Sequence, residues 1–197
     1  VSLSREVSVQ GRREVLLGKG KFGIFGDGKE LPQVVMSHFF KDGDYRSGYY
    51  RDQTLLMSQN LLSAREIFAA VYGHPDKLYE KMSGGRQMAG HFLTNTIDEN
   101  NNWIDQTSQK AHISDISPTA SQMSRLVGLG LASKIYRNNS INGSDKFSKN
   151  GNEVVWGTIG NASTSQGIFF EAVNACGVLQ IPTIISCLLY TSPSPRD

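Results

Sequence analysis

The sequence has little cysteine, little excess charge and no long apolar run. Its only two cysteines, Cys176 and Cys187, are too few for a small domain held together by disulfides. Lysine and arginine total 20 against 18 aspartates and glutamates, a formal net charge of +2. This balance lacks the basic excess that favours nucleic acids or anionic lipid surfaces, and no segment approaches the roughly 20 apolar residues of a membrane-spanning helix. We therefore expect neither a nucleic acid nor a membrane as partner.

The two ends of the sequence differ from its middle. The first residues, Val-Ser-Leu-Ser, contain no initiator methionine, and we expect the natural start to lie upstream. At the other end, eleven consecutive codons for residues 187–197 fit the DNA of a sequencing adapter, which predicts a non-native tail. Residues 1–186 then form one partial domain, truncated at both ends, and their number suffices to bury a core.

Apolar spacing predicts several helices before residue 140. The predicted helical segments are the end of a helix in residues 2–17, a helix over 31–40, one long amphipathic helix over 55–71, and a helix containing Met123 to Ile135. Ser117 and Pro118 are expected to form the N-cap and first position of the last helix. The polar segments 94–115 and 138–152 are expected to be loops.

The last quarter of the sequence predicts a strand, a loop, a helix and a second strand. The strand over 154–159 is apolar, residues 160–167 are small and polar, a helix follows over 168–179, and a second strand covers 181–186. This order indicates an α/β fold with a parallel sheet flanked by helices. Such sheets bind ligands at the carboxyl ends of their strands, where small residues admit a phosphate and an oxygen ligand can hold Mg²⁺.

A glycine-rich segment near the start, Gly18 to Gly23, has the G-x-G-x-x-G spacing of nucleotide-binding loops. The other protein kinase motifs do not follow in order, and the residues leading in are helical in pattern rather than strand-like. We interpret the segment as a flexible turn. The four histidines are too scattered along the chain to form a local metal site.

Four stretches, in this order and spacing, carry a family resemblance: SGYYRD from Ser47, GRQMAGH from Gly85, DISPTASQ from Asp115, and residues 160–174. Together they resemble the thiamine-diphosphate-dependent, decarboxylating first component of 2-oxo acid dehydrogenase complexes. The resemblance covers nearly all of 4–186. It is strongest to the alpha portion of the branched-chain 2-oxoisovalerate type, in the bacterial form that fuses alpha and beta portions.

The resemblance implies a thiamine-diphosphate-binding fold and a set of site residues, none of them catalytic. Tyr50 and Arg51 correspond to a pair that contacts the diphosphate, and an arginine fork suits phosphate by donating paired hydrogen bonds. The remaining cofactor positions are Ser117, Thr119, Gly160, Asn161, Ala162 and Ser163. The implied metal ligands are Asn161 for Mg²⁺, and Pro118, Ser121 and Gln122 for a monovalent cation such as K⁺.

The resemblance also implies an activity and partners. The complete enzyme decarboxylates a branched-chain 2-oxo acid oxidatively and passes the acyl group to a lipoyl group on an acyltransferase core. The active site forms with a beta-type portion or subunit, so residues 1–186 alone are expected to be inactive. A cytoplasmic location is inherited from the family.

This sequence departs from the family pattern at two positions. Asn161 and Gln166 are amides where the family has acids, and losing a negative charge beside Mg²⁺ costs on the order of 1–3 kcal/mol in binding. These amides leave open a non-catalytic paralogue that serves only assembly. A pyruvate or acetoin dehydrogenase component also stays open, because the pocket residues that select the substrate are mostly absent from this sequence.

Overall fold

A computed structural model of the protein describes residues 1–188. The α-helices in this part are α1 (Ser2–Leu16), α2 (Glu30–Phe39), α3 (Gln53–Ser58), α4 (Ala64–Val71), α5 (Gln122–Asn138) and α6 (Gly167–Leu179). The strands are β1 (Tyr45–Tyr49), β2 (Ala111–Ile116), β3 (Val155–Gly160) and β4 (Thr183–Leu188). Short 3-10 turns cover Gln106–Ser108, Ser144–Lys146 and Asn161–Ser165.

The strands form one sheet in the order β2-β1-β3-β4. Strand β1 runs parallel to β2 on one side and to β3 on the other, with Tyr45 opposite both Ala111 and Val155. Parallel strands joined through helices confirm the predicted α/β class. Every residue of β3 is buried, as expected for a strand covered on both faces.

The pairing of β1 with β2 contains a bulge. Arg46 pairs with His112 and Ser47 with Ile113, but Tyr49 pairs with Ile116, so β2 has one residue more than β1 in this interval. Because side chains alternate between the two faces of a sheet, the extra residue moves Asp115 to the same face as Arg46.

The chain divides into two compact units. The first contains residues 1–39, residues 50–91 and Leu188, and the second contains residues 40–49 and 92–187. The first unit has an apolar core of Val7, Phe25, Ile67, Val71 and Ala89. The core of the second unit lies against the sheet and consists of Ala120, Met123, Leu126, Val155, Ile159 and Ala172.

The prediction of one long helix in the first half of the chain is wrong. The predicted single helix over 55–71 is two helices, since α3 ends at Ser58 and Asn60 has a left-handed backbone with φ of 58°. Ser63 then begins α4 with a capping box: its Oγ accepts a hydrogen bond from Glu66 N, and the Glu66 carboxylate accepts one from Ser63 N.

The predicted start of α5 is also wrong. The helix begins at Gln122 rather than at Pro118, and residues 117–121 form a loop. Ala120 in this loop has φ of 64°, a conformation that cannot continue a right-handed helix. The predicted loop 94–115 contains most of β2, and β1 was not predicted as a strand at all.

The other elements agree with the sequence patterns. Helices α1, α2 and α6 and strands β3 and β4 lie within two residues of their predicted bounds, and the glycine-rich segment 18–23 forms turns and irregular backbone. Strand β4 continues through Cys187 and Leu188, the first two residues of the predicted non-native tail. The remainder of that tail, residues 189–197, lies outside the described residues. No helix within residues 1–188 combines the length and apolar character needed to cross a bilayer.

Candidate functional site

In the second unit, the loops that follow β2 and β3 carry most of the predicted site residues. Loop 117–121 follows β2, and the 3-10 turn Asn161–Ser165 follows β3. Both strands run parallel to β1, so both loops begin at the carboxyl edge of the sheet, where α/β proteins bind ligands. The predicted residues Tyr50 and Arg51 belong to the first unit and follow β1 directly along the chain.

The turn after β3 exposes the predicted magnesium position. Asn161 and Ala162 are exposed, while Gly160 is buried at the end of the strand. Side chains fold back on the turn: Thr164 Oγ1 donates to Asn161 O at 2.7 Å and Ser165 Oγ donates to Ala162 O at 2.8 Å. These bonds fix the backbone of the turn, and the exposed Asn161 carries an amide oxygen, a neutral ligand that Mg²⁺ accepts.

Gln122 presents an unusual buried oxygen at the end of loop 117–121. Its side chain is 1% exposed, and its Nε2 donates to Thr158 O at 2.9 Å. Its Oε1 has no hydrogen-bond donor among the described residues. A buried carbonyl oxygen without a partner costs about 1–3 kcal/mol, and a bound cation removes that cost. The residue therefore fits the predicted monovalent-cation site.

The rest of loop 117–121 is compatible with the same role. Pro118 O accepts a hydrogen bond from Ser121 N at 3.1 Å, and a carbonyl oxygen retains a second lone pair. Pro118 and Thr119 are exposed, and Ser117 and Ser121 are half-buried. Within residues 1–188 there is no cluster of three or more His, Cys, Asp or Glu side chains placed to hold a metal. Amide, hydroxyl and backbone oxygens are thus the cation ligands that this loop offers.

Sequence reasoning missed a buried ionic cluster directly before this loop. Arg46 of β1 is 0% exposed, and its Nη1 lies 2.8 Å from Oδ1 of Asp115. Its Nε donates to Nδ1 of His112 at 2.7 Å. Asp115 Oδ2 also accepts from Phe92 N at 3.0 Å, and the Phe40 ring stacks on His112 with centroids 5.0 Å apart. Asp115, two positions before Ser117, therefore neutralises the charge of Arg46 in the interior of the second unit.

Burial keeps His112 neutral. Desolvation and the charges of Arg46 and Lys110 lower its pKa well below the usual value. Below about pH 6.5 the unfolded chain binds a proton at this histidine that the folded chain does not, so stability falls as the pH falls. When the pH falls from 7.5 to 5.5, protonation of His112 in the unfolded chain is expected to lower the free energy of unfolding by about 1 kcal/mol.

Urea unfolding at the two pH values measures this effect. His112→Gln keeps an oxygen acceptor for Arg46 Nε, but glutamine does not titrate. The free energy of unfolding of this variant is therefore expected to fall by about 1 kcal/mol less between the two pH values. An unchanged pH dependence in the variant would show that His112 is not the group that titrates.

On the other face of β1, Ser47 contacts helix α5. Its Oγ donates to Gln122 O at 2.7 Å and accepts from Arg125 Nε at 3.0 Å. The Ser47 side chain is 0% exposed, so these two bonds replace all of its contacts with water. The first turn of α5, which contains Gln122, is thereby tied to the sheet.

The first unit contains Tyr50 and Arg51 and holds the backbone of Arg51. Arg51 O accepts a hydrogen bond from Nε2 of the fully buried Gln33 at 2.9 Å. The guanidinium lies 5.4 Å from the centroid of the Tyr50 ring. Among the residues that the structure describes, no carboxylate forms an ion pair with Arg51.

The segment that begins at Gly85 is shaped by a buried carboxylate. Glu80 accepts hydrogen bonds from the backbone N–H groups of Met82, Ser83 and Gly85. Burial raises the pKa of Glu80, but these donors outweigh it and the pKa lies below the usual value. Gly85 has φ of 74°, and a Cβ there would lie 2.4 Å from Gly73 O, so this turn requires glycine.

Comparisons with known proteins match almost the whole described chain. The family model for the dehydrogenase E1 component matches residues 13–188. A curated relative, the 2-oxoisovalerate dehydrogenase subunit alpha of Bacillus subtilis (strain 168), is 27% identical over 171 residues. The alignment covers 86% of this chain and 43% of the relative, so the chain spans less than half of that relative's length.

Proposed function

This chain belongs to the dehydrogenase E1 component family, and on that premise we propose that it is the alpha-type portion of a 2-oxo acid dehydrogenase. Its role is to bind thiamine diphosphate and the associated cations. The observation that carries this proposal is the buried Gln122 Oε1, which lacks a donor among the described residues and directly follows loop 117–121, the loop predicted to hold a monovalent cation. A fixed cation there rigidifies the loop that contacts the cofactor.

Thiamine diphosphate would supply the nucleophile and the electron sink that decarboxylation of a 2-oxo acid requires. The residues of this chain bind and orient it. Arg51 and Tyr50 bind the diphosphate, because a guanidinium donates two parallel hydrogen bonds to phosphate oxygens. Ser117 and Thr119 contact the aminopyrimidine end. Residues 160–163 approach the diphosphate with little side-chain bulk, and Asn161 contributes a neutral oxygen to Mg²⁺.

Calorimetric titration tests this proposal. Thiamine diphosphate with Mg²⁺ is titrated into the full-length protein assembled with its beta-type portion, in potassium chloride and in choline chloride of equal ionic strength. We expect micromolar binding in potassium and weaker binding in choline. Absence of heat in both salts would contradict the proposal.

The proposed substrate is a branched-chain 2-oxo acid, and the acyl acceptor is a lipoyl group on an acyltransferase core. The similarity to a 2-oxoisovalerate dehydrogenase subunit supports the branched-chain assignment. The location proposed from the family resemblance is the cytoplasm. Steady-state comparison of branched and linear 2-oxo acids with the full-length enzyme separates this assignment from pyruvate or acetoin dehydrogenase, since a preference for pyruvate would reverse it.

A non-catalytic role in assembly is the second candidate. It is favoured by the amides at Asn161 and Gln166, which leave the turn after β3 without negative charge. The same calorimetric titration separates the two functions, because an assembly paralogue requires no cofactor. A stable complex with the beta-type portion and no cofactor binding would establish the assembly role.

Restoring the acid at the metal position is expected to strengthen Mg²⁺ binding. In Asn161→Asp, a carboxylate replaces a neutral amide on an exposed turn, and the added charge lowers the Mg²⁺ concentration for half-maximal cofactor binding about 10- to 100-fold. Titration with Mg²⁺ at fixed thiamine diphosphate measures the change. Asn152→Asp makes the same charge change on another exposed loop and is expected to have no comparable effect. Equal effects of the two variants would refute a metal role for position 161.

A further inference from the structure

Strand β1 contacts both ends of loop 117–121. Before the loop, Arg46 forms an ion pair with Asp115 at 2.8 Å. After the loop, Ser47 Oγ donates to Gln122 O at 2.7 Å. Arg46 and Ser47 are consecutive residues of a strand, so they point to opposite faces of the sheet and reach the two ends separately.

The bulge in β2 makes the first of these contacts possible. Without the extra residue, Asp115 would lie on the same face as Ile113 and point away from Arg46. With the bulge, its carboxylate meets Arg46 on one side, while its other oxygen accepts from Phe92 N at 3.0 Å. The end of β2 is therefore fixed directly before the loop begins.

The loop itself needs such support. Ala120 adopts a left-handed backbone conformation that is unfavourable for any residue with a Cβ, and such conformations persist where neighbouring structure holds them. The Gln122 backbone is held by Ser47, and its side-chain amide is held by Thr158 O at 2.9 Å. These two contacts together set the position of Gln122 Oε1.

We propose that Arg46 and Ser47 are positioning residues that hold loop 117–121 in its cation-binding arrangement. Neither is among the residues proposed to bind the cation or the cofactor. Arg46 fixes Asp115, two residues before the loop, and Ser47 fixes Gln122, whose side chain supplies a proposed cation ligand. This inference rests on the proposed function, because Arg46 and Ser47 can position a cation site only if loop 117–121 binds a cation.

The test is the potassium dependence of thermal stability in the full-length protein. The midpoint of unfolding is followed while potassium chloride replaces choline chloride at constant ionic strength, with thiamine diphosphate and Mg²⁺ present. Ser47→Ala is expected to raise the potassium concentration for half-maximal stabilisation about three- to tenfold, the effect of losing the hydrogen bond to Gln122 O. Ser47→Thr, which keeps the hydroxyl, is expected to restore it.

Ser148→Ala is the matched control. Ser148 is another buried serine, whose Oγ donates to Glu153 Oε2 at 3.0 Å and accepts from Gly151 N at 2.8 Å. Its removal destabilises the same unit by a similar loss of hydrogen bonds but is expected to leave the potassium requirement unchanged. An equal shift in the two alanine variants, or no shift in Ser47→Ala, would overturn the inference.

Two further outcomes are distinguishable. If Ser47→Ala does not fold, Ser47→Cys fills the same space with a thiol, a much weaker donor to Gln122 O. A rise in the potassium requirement of this variant supports the inference, and no rise overturns it. If potassium fails to stabilise the unmodified protein, the proposed cation site is wrong and the inference falls with it. That result is seen before any variant is examined, so the two failures are not confused.

Discussion

Replacing Asp115 by asparagine is expected to lower the free energy of unfolding by about 3–5 kcal/mol. The substitution leaves the guanidinium of Arg46, which is 0% exposed, without its ion-pair partner in the interior of the second unit. A buried charge that loses its partner keeps the full cost of its removal from water. Urea unfolding of the whole chain at pH 7.5 measures the loss.

The control for Asp115 is an ion pair near the surface. Asp42 is 60% exposed and pairs with Lys110 at 2.7 Å. Asp42→Asn makes the same chemical change where water solvates both groups, and a loss of less than 1 kcal/mol is expected. Similar losses in the two variants would mean that burial does not govern the strength of the Arg46–Asp115 pair.

Replacing Arg51 by alanine is expected to weaken thiamine diphosphate binding about 10- to 100-fold. The variant removes two charge-assisted hydrogen bonds to the diphosphate, each stronger than a neutral one. Arg51→Lys keeps the charge but loses the paired geometry, so an intermediate affinity is expected. Calorimetric titration of the assembled enzyme at fixed Mg²⁺ measures the three affinities.

Arg65 provides the comparison for Arg51. Its guanidinium lies 4.3 Å from the centroid of the Tyr79 ring, so it also stacks on a tyrosine in the first unit. Arg65→Ala therefore removes a similar charge and a similar ring contact at a position with no proposed cofactor role. We expect its affinity for the cofactor to equal that of the unmodified protein. A loss as large as that of Arg51→Ala would assign the effect to general charge rather than to the diphosphate.

The sequence predicted the part of the fold that local patterns determine. Strand β3, helix α6 and strand β4 follow one another with apolar strands and a small-residue turn, and the structure confirms all three. The break between α3 and α4 could also have been found. Ser63 and Glu66 have capping-box spacing, but the apolar periodicity continues through them and masks the break.

Strand β1 could not be identified in the same way. Its sequence, Tyr-Arg-Ser-Gly-Tyr, is polar in its middle, yet Arg46 and Ser47 are fully buried. Their burial is compensated by Asp115, His112 and Gln122, which are distant in sequence. A pattern read along a short window contains no information about these partners, so a buried polar strand resembles an exposed loop.

The site residues also differ in whether the sequence could identify them. Gln122 and the residues after β3 were predicted because the family resemblance marks them. The residues that hold them in place were missed, since the bulge in β2 breaks the alternation that would otherwise assign Asp115 to a face. Sequence patterns thus identified the proposed ligands, and the structure was needed to find their supports.

The position of β1 between β2 and β3 has a consequence for biosynthesis. Arg46 and its partner His112 are 66 residues apart in the sequence. Asp44 accepts a hydrogen bond from the backbone N–H of Val154, which is 110 residues further along the chain. As the chain leaves the ribosome, β1 emerges before β2 and β3, the two strands between which it lies in the sheet. Distant pairings of this kind close slowly and leave strand edges open meanwhile. Until β2 and β3 have been synthesised, both edges of β1 therefore lack the partner strands that cover them in the folded chain.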